Sequence, residues 1–462
     1  MIHEKKIYTV TDLGPGDGGK GGVVHKISHM KHAHTIVKVG GAQGSHGVTT
    51  SAGDNFAFSQ FGCGTFEGIK THMTERIVVS PEGILNEGEA LYYDCGIRDV
   101  FSLLTVDENA ICATPFHAIS SHIKELARGN NPRGTIGSGI GETYRYAERY
   151  PELTIRVSDL KKFGLKDRLA AAREKISEDL HPIIAEKFLP ADQEQVEEEI
   201  ALLNDSAFMD FTIKRFREVP NRVKIVDGHY FRQILARDGI VVVESSHGVL
   251  TDRYQGFHPH TSAIRTLPCF THAMLHDAGY DGEVVNLGVS RAYQIRHGAG
   301  PMPTADPAMN GNLLPGSHKS ENRYQGKVRV GPLDLVLLRY AIASCGGRKA
   351  FDGLAITWFD QIQNNGFWRI CDRYINTSNS TFFLPSGELR VRYGADETQL
   401  YHQENLGRQL GDCVPEISEF PVSSNSSREE LFDWCASILG EKLGINVRMV
   451  SFGPSEQGKV CK

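Results

Sequence analysis

No uninterrupted apolar run in the chain approaches the roughly 20 residues that a membrane-spanning helix needs. The opening Met1-Ile2-His3-Glu4-Lys5-Lys6 leads into a strand-like stretch rather than the apolar core of a secretion signal. Neither secretion nor membrane insertion is expected. Closely spaced C-x-x-C pairs are missing too, and nine scattered Cys, an odd number in 462 residues, do not suggest a disulfide framework. Reduced thiols and a cytoplasmic location are the expectation. Strong net charge is also lacking: 50 Lys and Arg against 56 Asp and Glu leave a formal −6, which offers no general attraction to nucleic acid or to an anionic membrane. An anionic ligand must therefore be met by a local site. Repeats and low-complexity tracts are absent, with 423–427 the one Ser/Asn-rich stretch. What remains, 40% hydrophobic and 23% charged residues, is the composition of a globular protein able to bury a large core.

The apolar pattern alternates between strand and helix periods. Residues 7–13 read as a buried strand, the glycine cluster 14–22 follows, and the spacing over 23–30 suits a helix. A second strand over 35–39 ends in another glycine-rich turn, Gly40-Gly41-Ala42-Gln43-Gly44-Ser45-His46-Gly47. Further strand-like runs at 76–79, 240–243, 283–287 and 353–357 are separated by segments long enough for helices, which is an α/β pattern with a mainly parallel sheet. From about 160 to 222 the chain turns charged and poor in glycine, and reads as a helical subdomain or excursion.

The string over 14–21, GPGDGGKG, fits the G-x-x-x-x-G-K part of a phosphate-binding loop but has Gly21 where that motif has Ser or Thr. Glycines let backbone amides turn inward around phosphate oxygens, a helix starting near Lys20 offers its positive end, and Lys20 adds a point charge. The hydroxyl that would hold magnesium is missing. Asp17, inside the loop, is a candidate to supply an oxygen to Mg²⁺ or to act as a base beside the phosphates. A structural glycine turn with solvated Asp and Lys is the plain alternative.

The two loops together resemble the adenylosuccinate synthetase family, whose signatures are G-D-E-G-K-G followed by Q-G-G-x-N-A-G-H-T; here they read Gly16-Asp17-Gly18-Gly19-Lys20-Gly21 and 39–47. Later segments are similar in the same order. Residues 134–141 (GTIGSGIG) resemble G-T-T-G-R-G-I-G, 244–248 (ESSHG) resemble E-G-A-Q-G, and 296–304 (RHGAGPMPT) resemble R-V-G-A-G-P-F-P-T. Residues 327–334 (KVRVGPLD) resemble R-R-R-T-G-W-L-D, and 357–360 (TWFD) resemble T-K-L-D. The resemblance runs from residue 14 to Gly453-Pro454, nearly the whole chain.

The resemblance implies one large α/β domain over 1–462 around a long, mainly parallel central sheet, usually a homodimer, and an Mg²⁺-dependent ligase. The substrates would be a nucleoside triphosphate, a purine monophosphate and L-aspartate. Asp17 would remove the N1 proton of a 6-oxopurine so that O6 attacks the γ-phosphate, and the aspartate amine would then displace that phosphate. His46 would stabilise the charge developing between O6 and phosphate, and Lys20 would hold the phosphates. Gly16, Gly18, Gly19, Gly21 and Gly47 would line the triphosphate, with Trp358, Asp360, Ser451 and Gly453 around its base. Gln43, Ile136, His247 and Ser262, with Asp17, would face the purine monophosphate. Lys327 and Arg329 would hold the aspartate carboxylates, and Asp17 with the Ser45 carbonyl would ligate Mg²⁺. Gln43, Ile136, Ser138, His247 and Ser262 depart from the family where it grips its nucleotide, so GMP or dGMP competes with IMP as the expected substrate. Phage relatives that act on dGMP often carry Ser at the position of Asp17, from which this chain differs. Two other readings are a non-catalytic nucleotide-binding regulator, against which the retained Asp17, Lys20 and His46 weigh, and a simple phosphate-loop kinase, which Gly21 disfavours.

Overall fold

In the strand Gly239–Gly248, Ile240 and Val242 join one apolar cluster while Val241 and Val243 join another. Successive strand side chains point to opposite faces, so this continuous apolar run marks a strand buried on both sides. The computed structural model describes residues 5–186, 188–314, 316 and 323–462. Residues 1–4, part of the N-terminal stretch discussed above, lie outside the described residues.

Eleven strands form one sheet. Read across, ten of them run Lys459–Cys461, Val447–Ser451, Gly353–Thr357, Glu283–Arg291, Lys5–Asp12, Gly239–Gly248, Thr35–Gly41, Lys70–Val79, Leu104–Asp107 and Lys224–Val226. Ile111–Cys112 pairs with Lys70–Val79 beside this line. Neighbouring pairs are parallel except the edge pair Val447–Ser451 with Lys459–Cys461. Each strand read from the sequence lies in this sheet, and the mainly parallel expectation holds.

The charged stretch after residue 160 forms the helices Leu165–Ile184, Gln193–Asn204 and Ser206–Arg222. Leu165, Leu169, Ala172, Ile176 and Leu180 recur every three or four positions, and they share one apolar cluster with Ile36, Val242 and Phe116. This helical excursion is thus seated on the core of the sheet. All nine Cys are unpaired, and among the described residues no helix is long and apolar enough to cross a membrane.

Parallel topology matters for function because the carboxyl ends of neighbouring strands lie along one edge of the sheet, where α/β proteins bind ligands. Here that edge gathers the loop after Asp12, the turn after Gly41, and His247, Arg291, Trp358 and Ser451 at or just beyond the ends of their strands.

Candidate active site

A cavity of about 1510 Å³ opens along this edge. One drug-sized ligand needs roughly 300–1,000 Å³, so there is room for more than one.

Its floor is the 14–21 loop. Lys5–Asp12 delivers Asp12, whose Oδ1 accepts from the Gly14 amide at 2.8 Å and whose Oδ2 accepts from the Gly18 amide at 2.8 Å and from Lys20 Nζ at 2.7 Å. Gly19, at φ 82°, turns the chain into the helix Lys20–Met30, whose N-terminus has no side-chain cap and no acidic residue in its first turn. Gly16, Gly19, Lys20 and Gly21 line the cavity. Gly18, expected at the phosphates, is not among the lining residues, because its amide is spent on Asp12. The missing hydroxyl at position 21 has a steric cause: a Cβ there would lie 2.5 Å from the Gly47 carbonyl.

Asp17 sits on the wall at φ 59°. Its Oδ2 is 2.9 Å from Arg291 Nη2 and 3.2 Å from His297 Nε2, and its carbonyl accepts from Arg291 Nε at 2.6 Å. The Arg291 guanidinium in turn lies 4.2 Å from the centre of the Trp358 ring. Arg291 thus orients the loop carboxylate from the end of another strand, a partner invisible to motif reading.

His46 is buried and also lines the cavity. Its Nδ1 lies 2.7 Å from Glu244 Oε1, while Nε2 has no hydrogen-bond partner among the described residues. Glu244 also meets Lys38 Nζ at 3.1 Å and accepts from the Cys63 amide at 3.0 Å. Burial by itself pushes the Glu244 carboxyl up, but Lys38, His46 and the Cys63 amide together outweigh it and hold it well below the usual carboxylate range. For His46, burial wins: the imidazole is pulled down, with Lys20 and Lys38 adding to the effect and Glu244 opposing it. An ionised carboxylate can only accept, so Nδ1 carries the proton and Nε2 presents a lone pair until the ring is protonated. His46, Cys63 and Glu244 bring three potential metal-ligand atoms within 4.8 Å. Lys38 already supplies the cation to this cluster.

Of the residues expected around a purine monophosphate, Gln43, Ile136, His247 and Ser262 all line the cavity. Gln43 and His247 are hydrogen-bonded to each other, and burial pulls the His247 imidazole down to about 4. The Ser262 hydroxyl accepts from the Ile264 amide at 3.1 Å. Ser45, Gly47, Trp358, Asp360, Ser451 and Gly453 also lie on the wall. Beside this last group stands Lys459, which sequence reading missed. It is buried, donates to the carbonyls of Pro454 and Ser455 at 2.9 and 2.8 Å, and is pulled down to about 8 by burial.

The expected carboxylate-binding pair is arranged differently. Lys327 is exposed and Arg329 spends Nη2 on the carbonyls of Gly298 and Gly300, at 2.8 and 2.7 Å; neither lines the cavity. Arg296, directly opposite Arg329 in the antiparallel pair Gln294–His297 with Val328–Gly331, does line the cavity, as do Arg128, Arg133, Arg145 and Arg149. Of this facing pair, the arginine that lines the cavity is not the one the motif named. Arg296 is 4% exposed and donates to the carbonyls of Ala299 and His260 at 3.0 and 3.2 Å. Burial, with Arg329 alongside, pulls it down to about 9. Two like charges facing each other across strands are costly unless an anion joins them.

The adenylosuccinate synthetase family model matches residues 10–458. The chain is 25% identical over 447 residues to the adenylosuccinate synthetase of Thioalkalivibrio sulfidiphilus, covering 95% of this chain and 94% of that protein. It is 26% identical over 412 residues to that of Myxococcus xanthus, covering 87% and 89%. Among solved structures, the fully ligated adenylosuccinate synthetase of Plasmodium falciparum superimposes with a TM-score of 0.75 at 19% identity, covering 98% of this chain and 99% of that one. The succinoaminodeoxyadenylate synthetase of cyanophage S-2L, bound to dGMP and dATP, matches with a TM-score of 0.53 at 15% identity, covering 99% and 95%. The two structural likenesses bear on the fold.

Proposed function

This chain belongs to the adenylosuccinate synthetase family, and on that premise we propose that Asp17, Lys20 and His46 carry the chemistry of its cavity. It is a C–N bond-forming ligase that joins L-aspartate to C6 of a 6-oxopurine nucleotide at the expense of a nucleoside triphosphate. The observation that supports these roles is the Nε2 of His46, which has no partner among the described residues and is aligned by Glu244 on the wall of the cavity that Asp17 and Lys20 also line.

The reaction needs O6 to become a nucleophile. Asp17 takes the N1 proton, and the electrons released make O6 attack the γ-phosphorus, expelling the nucleoside diphosphate. His46 then faces the charge shared between O6 and the phosphoryl group, and Glu244 stabilises the imidazolium that can donate to it. Lys20 holds the transferring phosphate. The aspartate amine attacks C6, and inorganic phosphate leaves with the O6 oxygen. Arg296, which lines the wall opposite Arg329 across the strand pair, is the basic group we assign to an amino-acid carboxylate, in place of Lys327 with Arg329.

The family uses Mg²⁺, and the oxygen donors here fit it: one carboxylate, Asp17, lies within the loop shaped for phosphates, and Mg²⁺ is commonly held by one or two carboxylates together with substrate phosphates. Asp17 and the Ser45 carbonyl would hold it. When bound, it neutralises charge on the phosphate oxygens. A homodimer is the assembly we propose.

The test is phosphate release by the full chain with Mg²⁺, GTP or ATP, a purine monophosphate and L-aspartate. Release should require all three substrates. Release with triphosphate alone would make the protein an NTPase, and binding without release would make it a sensor.

A further inference from the structure

Asp12 has no place on the cavity wall, yet three donors converge on it. Its side chain is 0% exposed and paired with Lys20, itself 3% exposed. Taking two charges out of water costs several kcal/mol unless further hydrogen bonds satisfy them, and the Gly14 and Gly18 amides do so for the carboxylate. Lys20, by contrast, does line the cavity. Its ammonium therefore stands between a fixed carboxylate behind and the ligand space in front, with three N–H donors to divide between them.

Sequence and packing are matched here. A Cβ built on Gly18 would lie 2.8 Å from the Asp12 carboxylate. The carboxylate occupies the space that any side chain at position 18 would need, so the loop carries glycine and the acid is supplied from the end of the strand. In the G-D-E-G-K-G signature the residue at this place is Glu.

We propose that Asp12 is a positioning residue for phosphoryl transfer. It ties the turn at both Gly14 and Gly18, aims the Lys20 ammonium at the cavity, and compensates part of its charge. Lys20 then serves the transferring phosphate more than the resting triphosphate. Interactions that bind substrate and transition state alike lower KM without raising kcat, so removing the Asp12 charge should leave Lys20 binding the triphosphate at least as well while misaimed for transfer. This rests on the reading that the cavity takes a triphosphate.

The experiment compares the full-length wild type with Asp12→Asn, Lys20→Met and the double variant in the phosphate-release assay. Asp12→Asn should lower kcat about 10- to 100-fold with the triphosphate KM unchanged or lower, and should cost less than about threefold further in the Lys20→Met background. A kcat within about threefold of wild type overturns the proposal, as does a KM that rises as kcat falls, or losses that multiply in the double variant. If Asp12→Asn does not fold, Asp12→Ser, which keeps one small acceptor for the Gly14 amide, is expected to show the same pattern. A wild type that releases no phosphate sinks the functional reading instead. Equilibrium binding of Mg·GTP then decides the role of Asp12: binding unchanged or tightened by Asp12→Asn, with the difference erased by Lys20→Met, upholds it, and weakened binding overturns it.

Discussion

Replacing Glu244 by Gln probes whether His46 acts through its buried carboxylate. Nδ1 of His46 lies 2.7 Å from Glu244 Oε1, and Glu244 is the group that raises an imidazole which burial, Lys20 and Lys38 all pull down. In the proposed mechanism, the imidazolium that donates to the transferring phosphate therefore depends on this one negative charge. Gln keeps the size and the ability to hydrogen-bond but removes the charge, and its amide can donate to Nδ1 and so select the other tautomer. A charge-assisted hydrogen bond contributes about 1.5–3 kcal/mol, and at 1.36 kcal/mol per factor of ten the expected loss in kcat is about 10- to 160-fold. Lys38 retains the Phe61 carbonyl at 3.0 Å, so it is not left without a partner and the fold should survive. The assay is steady-state phosphate release at saturating aspartate, read beside the triphosphate KM and the thermal midpoint. A kcat within threefold of wild type refutes the reasoning. So does an equal loss when Gln replaces Glu244 in a His46→Ala background, since the carboxylate would then act without the imidazole.

For the amino-acid site, Arg296→Leu should raise the aspartate KM at least tenfold, from a charge-assisted contact of about 1.5–3 kcal/mol, whereas Lys327→Leu should change it little; the reverse order in initial-rate measurements returns the site to Lys327. Acid should destabilise the protein through buried neutral histidines: burial pulls His72 to about 3 and His117 to about 4, from the usual 6.5. The unfolded chain binds more protons between pH 6.5 and about 4, so stability rises with pH across that window, by roughly 3 kcal/mol per histidine. Thermal unfolding at several pH values would show a slope that His72→Gln reduces; a flat midpoint from pH 7 to 4.5 contradicts it. On nucleotide choice, GMP or dGMP should give a higher kcat/KM than IMP, because Ile136 and the bonded pair Gln43 and His247 replace the family's residues on the cavity wall; IMP giving the highest value ends that reading.

Strand and loop positions were legible because each rests on local chemistry. Short apolar runs bounded by glycines mark strands buried on both faces, and glycines within 14–22 and 40–47 permit the left-handed backbone found at Gly16, Gly19 and Gly40. The family followed from collinear motifs, and with it the proposal of Asp17, Lys20 and His46 as site residues. The partners of those residues were not legible. Glu244 lies 198 residues from His46 and Arg291 lies 274 from Asp17, and only the parallel sheet brings their strand ends to one edge. Motif reading also named Gly18 and Lys327 as ligand contacts, since it registers residue type and spacing and carries no direction. Direction is set by what lies around each residue: Asp12 captures the Gly18 amide, and the carbonyls of Gly298 and Gly300 hold the Arg329 guanidinium while Arg296 lines the wall. The sequence alone determined the fold class, the family and the chemical groups available. Which of those groups face the ligand, and in which protonation state, was decided by tertiary packing, because burial and charge neighbours act through space and not along the chain.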